Sequence, residues 1–210
     1  MRSEPLVLGF DTSAAHCAAA LVRGDAVLAT RVEDMAKGQA ERLMPLLEEL
    51  LAEAGLGWKD LDALGVGTGP GNFTGVRISV AAARGLALGL QIPAIGVSIF
   101  EALAHDTPRP VAVALDARRD EAYAQLFTAT GAAAPSLTPA AALAETLAGV
   151  PVIGLALPRS APLSPRHPLA EAVALVAATK LGTDQPRPAP LYLRGADAAP
   201  PSDPPPVILD

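Results

Sequence analysis

Two short segments and three histidines supply most of the residue types that could do chemistry in this 210-residue chain. Asp11-Thr12-Ser13 ends one apolar run, 5–11, and precedes another, 16–22. An acid followed by two small hydroxyls after a strand can position a metal and cradle a phosphate. The same residues can instead close an Asx turn on their own backbone. Gly67-Thr68-Gly69-Pro70-Gly71-Asn72-Phe73-Thr74-Gly75 joins an expected strand to an expected helix. Its N–H groups would stand at the positive end of the helix dipole, where an anion binds well. Asp11, Thr12, Gly69, Gly71, Asn72 and Thr74 are therefore the candidate nucleotide contacts. No named phosphate motif fits. The loop has no lysine, and a G-x-G-x-x-G run breaks at Asn72 or Thr74, with Gln91 near where a ribose-binding acid would stand. The structural alternative is a tight backbone crossing that only glycine fits.

The remaining reactive residues assemble no catalytic site. His16, His105 and His167 contain no i, i+4 pair, so no helix carries an H-x-x-x-H metal motif. Cys17 lies among small apolar residues and reads as buried filler rather than a nucleophile. No G-x-S-x-G elbow is present. Asp116 and Asp120 flank Arg118-Arg119, a pattern expected of a solvated or salt-bridged hairpin turn. The expectation is no catalytic residue and no metal ligand.

The elements that must position these residues follow from periodicity. Strands are expected at 5–11, 16–22 and 25–32, the last two as a hairpin around Arg23-Gly24. Helix 39–54 has an apolar stripe through Ala40, Leu43, Leu47, Leu50 and Ala54, with Pro45 kinking it or marking its first turn. A buried strand at 61–67 leads through the glycine loop to helix 74–90. That helix is apolar or small nearly all round, so it should be buried on more than one side. A strand at 93–97 precedes a helix at 98–105, with Ser98 as N-cap and Glu101 in the capping-box position. Strands at 110–116, 121–127 and 150–155 and helices near 138–148 and 168–181 complete the alternation. The fold class is α/β, with helices covering mixed sheets.

Composition narrows the function. Lys and Arg number 16 against 22 Asp and Glu, a net charge of −6, which argues against autonomous binding of nucleic acid. One cysteine and an N-terminus without signal-peptide features suggest a reducing, cytoplasmic setting. No charge-free apolar run reaches the length of a membrane span. Aromatic residues are only 3% of the chain, so the core must be built from small aliphatic side chains that let elements approach closely. Of 21 prolines, 17 fall after residue 105, so the second half should be more interrupted and the tail extended.

Five stretches resemble one family: FDTS at 10–13, GPGNFTGVRISVAAARGLA at 69–87, IPAIGVSIFEALA at 92–104, LDARRDEAYAQLF at 115–127 and PLYLRGADAA at 190–199. Together they are similar to the bacterial TsaB family, also called YeaZ. Asn72 stands where that family usually has Ser, and Arg84 where it usually has Lys. The resemblance implies an actin-like ATPase fold of two lobes. These would be an N-terminal lobe at 1–106, a reduced C-terminal lobe at 107–199 and a Pro-rich tail at 200–210.

The resemblance also implies a non-catalytic scaffold. Its partner would be the catalytic paralogue TsaD, and with the ATPase subunit TsaE the complex would install threonylcarbamoyl on tRNA adenosine. TsaD holds its metal through an H-x-x-x-H pair, which this sequence lacks. No cofactor is expected of the chain itself, with ATP or ADP contacted only within the complex and tRNA reached only through it. The partner surface would lie on the first two helices, at Leu43, Met44, Leu47, Leu51, Arg77, Ile78, Ala81, Ala82, Gly85 and Gly89. The isolated chain would self-associate through the same surface. The alternatives are a nucleotide-dependent ATPase or kinase of the same superfamily and, more remotely, an M22-type metallopeptidase.

Overall fold

The computed structural model describes residues 4–155, 157 and 161–194; the expected Pro-rich tail and the last residues of the expected second lobe lie outside these. The alternation of side chains along the first strand organises the larger layer. In β1 (Leu6–Asp11), Leu6, Leu8 and Phe10 face one core, and Val7 faces another. A strand buried on both faces must be central. β1 pairs antiparallel with β2 (His16–Arg23), which pairs antiparallel with β3 (Ala26–Asp34). On its other edge β1 runs parallel to β4 (Ala63–Gly67), which pairs in parallel with β5 (Ala94–Val97). The sheet order is β3-β2-β1-β4-β5.

Two helices cover one face of this sheet. α1 (Gln39–Glu53) buries Leu43, Leu46, Leu47, Leu50 and Leu51. Pro45 lies inside α1 rather than at its first turn. α2 (Phe73–Leu90) buries Gly75, Val76, Ser79, Val80 and Ala83. Among the described residues α2 is the one helix long and apolar enough to cross a membrane by length and composition. Here its buried side belongs to the first core.

The opposite face is covered by α5 (Leu169–Lys180), whose Ala170, Ala172, Val173, Ala174 and Ala177 are fully buried. Close approach is made by paired small residues. A β-carbon on Gly9 would lie 2.6 Å from that of Ala174, and one on Gly65 would lie 2.8 Å from that of Ala177. This realises the small-residue core that the composition requires. Within the 107–199 segment, α5 packs on the first sheet. A helix apolar nearly all round must be buried on several sides, and Gly9 and Gly65 leave room for it against the sheet.

The second sheet is built on β6 (Val111–Asp116) and β7 (Glu121–Thr128), which pair antiparallel. β10 (Val152–Gly154) runs parallel to β6. The two-residue strands β8 (Gly131–Ala132) and β11 (Pro162–Leu163), with β9 (Ser136–Pro139), extend the edges; none of these three is legible from periodicity. α4 (Ala140–Thr146) covers this sheet with Leu143 and Ala144. Between the sheets, α3 (Ile99–Leu103) carries the expected capping box: the Ser98 hydroxyl accepts from the Glu101 N–H at 3.1 Å, and Glu101 accepts from the Ser98 N–H at 2.9 Å. The segment around 188–194 then returns across both units. The Leu191 N–H donates to the Thr68 carbonyl at 2.8 Å, and Arg194 donates to the Ala117 carbonyl and to Glu121.

Candidate functional site

The fold brings the two candidate phosphate segments together. β1 ends in Asp11 and β4 runs parallel beside it, so the turns after the two strands meet. Asp11 is fully buried. Its Oδ1 accepts from the Ser13 N–H and the Ser13 hydroxyl, both at 2.8 Å, and lies 2.9 Å from His16 Nε2. Its Oδ2 is buried without a hydrogen-bond partner among the described residues. Gly67 lies directly beside that oxygen, because a β-carbon there would stand 1.9 Å from it. Thr12 is also fully buried, and its hydroxyl donates to the Gly75 carbonyl at 2.6 Å.

The glycine loop is a close backbone crossing, as the structural alternative requires. A β-carbon on Gly71 would meet the Ser13 carbonyl at 2.4 Å, and one on Gly75 would meet the Thr12 carbonyl at 1.9 Å. Asn72 is the N-cap of α2; its Oδ1 accepts from the Gly75 N–H at 2.9 Å, and its own N–H donates to the Ser13 carbonyl at 2.6 Å. The Val76 N–H donates to the Asn72 carbonyl. Donors that an anion would need are thus partly used inside the chain. Gly69 holds a positive φ of 89° beside Val76, which requires glycine. Asn72 and Thr74 line a depression of about 330 Å³ between the starts of α1 and α2, with Lys37 and Glu41 opposite.

Burial divides the expected partner residues. Leu43, Leu47 and Leu51 are at most 2% exposed and point into the core, so they cannot meet a partner. The stripe that marks an amphipathic helix is its inward face; the exposed residues of α1 are Ala40, Glu41, Pro45, Glu48, Glu49, Ala52 and Glu53, with Met44 half-buried. On α2 the assignment is different. Ala81, Gly85 and Gly89 are exposed, and Ile78 and Ala82 are half-buried. Leu88, absent from the sequence reading, is 80% exposed on the same helix. Arg77 is exposed but already engaged: its guanidinium lies 3.7 Å from the Phe73 ring centre, and its Nε donates to the Tyr192 hydroxyl at 2.7 Å.

The other reactive residues are structural or lie elsewhere. Cys17 is fully buried, and burial, with Glu33 nearby, pushes its thiol up from 9.0 to about 11. Such a thiol is no nucleophile at neutral pH. Asp116 closes the β6–β7 turn by accepting from the Arg118 N–H at 2.8 Å, and Arg118, Arg119 and Asp120 all hold positive φ. One cluster is not legible from histidine spacing within one helix. His105, Asp106 and His167 converge from two connections far apart in the chain. No local spacing could have shown this.

The family model described as TsaD, tRNA N6-adenosine threonylcarbamoyltransferase, matches residues 31–158. The tRNA threonylcarbamoyladenosine biosynthesis protein TsaB of Haemophilus influenzae is 40% identical over 125 residues, 56% of this chain and 51% of that protein. TsaB of Escherichia coli is 37% identical over 122 residues, 56% of this chain and 52% of that protein. The match thus spans about half the length of these curated relatives. An uncharacterized protein of Mycobacterium tuberculosis is 38% identical over 204 residues, 92% of this chain and 94% of that one. The solved structure of YeaZ from Pseudomonas aeruginosa is 27% identical, with a TM-score of 0.72 over 90% of this chain and all of that one. The architecture is the expected α/β, actin-like fold.

Proposed function

The chain belongs to the TsaB (YeaZ) family, and from that premise we propose that it is a non-catalytic scaffold in the formation of threonylcarbamoyladenosine on tRNA. It docks on the catalytic paralogue TsaD through the outer face of α2 and the neighbouring outer side of α1. The observation that carries this reading is the character of α2. A helix of 18 residues leaves Ala81, Gly85, Leu88 and Gly89 facing out, and a β-carbon on either glycine meets nothing within 4 Å. Exposed apolar surface beside small residues suits a second helix at close range. In this reading the ATPase TsaE joins the pair, and tRNA is held by the partners, because a chain of net charge −6 is a poor ligand for phosphate backbones. The isolated chain pairs with itself through the same face, and the complex works in the cytoplasm. The test mixes the purified chain with TsaD. Gly85→Glu and Leu88→Glu should abolish the heterodimer and tRNA modification in the reconstituted system while leaving the circular dichroism spectrum unchanged. Retention of both activities in both variants would sink the assignment.

A second reading rests on the buried, unpartnered Asp11 Oδ2. A carboxylate oxygen so placed suits a cation carried in with a nucleotide, making the chain itself a nucleotide-dependent ATPase or kinase. Calorimetry with ATP and Mg²⁺ on the isolated chain separates the readings. Tight binding with turnover, both lost in Asp11→Ala, favours the enzyme; their absence in the wild-type chain favours the scaffold.

A further inference from the structure

We propose that His105, Asp106 and His167 form a binding site for one transition-metal ion of the zinc class, held by two imidazoles and one carboxylate. His105 and Asp106 lie in the connection from α3 to β6; His167 lies just before α5, 61 residues beyond Asp106. Asp106 Oδ2 is 3.1 Å from His167 Nε2 and 3.5 Å from His105 Nε2. All three ligand atoms lie within 4.8 Å of one another. With metal–ligand bonds of about 2.0–2.1 Å, the edge of a tetrahedron is about 3.3–3.4 Å. The two histidine–carboxylate distances bracket that edge, and the imidazole nitrogens, within 4.8 Å of each other, must close further to complete the face of a tetrahedron. Two nitrogens and one oxygen suit zinc, cobalt or nickel and not magnesium or calcium, which take oxygen ligands.

The surroundings favour an ion at this place. The imidazoles are recessed, with 18% and 27% of their side-chain surface exposed, and the carboxylate, at 59%, stands at the mouth. A metal can therefore reach the site and keep an open position for water. Asp106 is held at φ 53°, a left-handed conformation that Asp and Asn tolerate better than most residues. Of the nearby charges, Asp25 lies on the favourable side and Arg166 on the unfavourable one. Arg109 also lies on the unfavourable side, its guanidinium donating to the Ala104 carbonyl at 2.9 Å and lying 4.9 Å from the Phe127 ring centre. A bound ion would tie the end of α3 to the start of α5. The Lys180–Glu101 ion pair ties the other end of α5 to α3, so the metal would complete a second clamp on that helix.

The test uses the full chain, stripped with a chelator and titrated with Zn²⁺ by calorimetry and with Co²⁺ by visible absorption. One equivalent should bind, with ligand-field bands of tetrahedral Co²⁺ and a higher thermal midpoint in metal. His105→Ala, His167→Ala and Asp106→Asn should each weaken binding by at least about tenfold. His167→Gln is the decisive companion, because an amide can keep the hydrogen bond to Asp106 but not the metal. It should retain metal-free stability and lose binding. Stoichiometric binding that is unchanged in these variants overturns the proposal, as does wild-type binding no tighter than that of a His105→Ala/His167→Ala double variant.

Discussion

Thr12 and Gly75 are locked against each other across two turns. The Thr12 hydroxyl donates to the Gly75 carbonyl at 2.6 Å, and the Gly75 α-carbon is pressed so close that a β-carbon would stand 1.9 Å from the Thr12 carbonyl oxygen. The turn after β1 and the start of α2 thus form one unit. Its first role is to seat α2 on the sheet.

Replacing Gly75 with Ala should therefore destabilise the chain by at least about 2 kcal/mol, since the clash is with backbone that cannot rotate away. Thr12→Val should cost about 1–2 kcal/mol, because it deprives a buried carbonyl of its donor. Urea denaturation of the two variants checks both values. A Gly75→Ala chain as stable as wild type would show that the crossing is looser than these contacts require.

The reach of sequence reasoning is visible in the same elements. The apolar runs at 5–11 and 61–67 declare strands, realised as Leu6–Asp11 and Ala63–Gly67, and Ser98 with Glu101 declares a helix start that the hydrogen bonds reproduce. Local chemistry decides such features. Periodicity also found the stripe through Leu43 and Leu47, but it cannot say whether a stripe meets the chain's own sheet or a partner. The first demand on an amphipathic helix is its own core, so that stripe went inward. The return of α5 to the first sheet and the meeting of His105 with His167 depend on where the chain goes between them. The glycine loop supported two readings because close crossings and anion cradles require the same absent side chains.

Glu101 should govern part of the acid limb of stability. Burial pushes its carboxyl up, but hydrogen bonds from Lys180 and Ser98 outweigh this and hold it below 4.5. With the folded value depressed, the stabilisation is complete above about pH 4.5 and is lost as pH falls through the folded value. Glu101→Gln should melt below wild type at pH 7 and converge on it in acid. Parallel thermal midpoints for the two chains across that range would show that the carboxylate contributes nothing.

Cys17 should govern part of the alkaline limb, with the opposite sign. Its thiol is raised from 9.0 to about 11 in the fold, so below pH 9 both folded and unfolded chains keep the proton and nothing changes. Between about pH 9 and 11 the unfolded thiol ionises first, and stability falls as pH rises. Cys17→Ala should flatten that decline. A disulfide reagent should label the native chain at pH 8 only as fast as it unfolds, and rapidly in urea.

Gly85 and Gly89 separate stability from partner binding by sign. Both sit in the exposed face of α2 with open space where a β-carbon would go. Alanine at either site should raise the stability of the isolated chain by about 0.5–1 kcal/mol, because it restricts the unfolded backbone and favours helix. If a TsaD helix approaches this face closely, the same methyl group must be accommodated between two backbones. Gly85→Ala should then weaken the heterodimer while strengthening the monomer. No core position would behave in that way: Gly9→Ala, which meets Ala174 at 2.6 Å, should weaken both. Thermal melts of the isolated chain beside calorimetric titration with TsaD give the two signs. A Gly85→Ala chain that gains stability and binds TsaD unchanged would move the partner surface off this helix face.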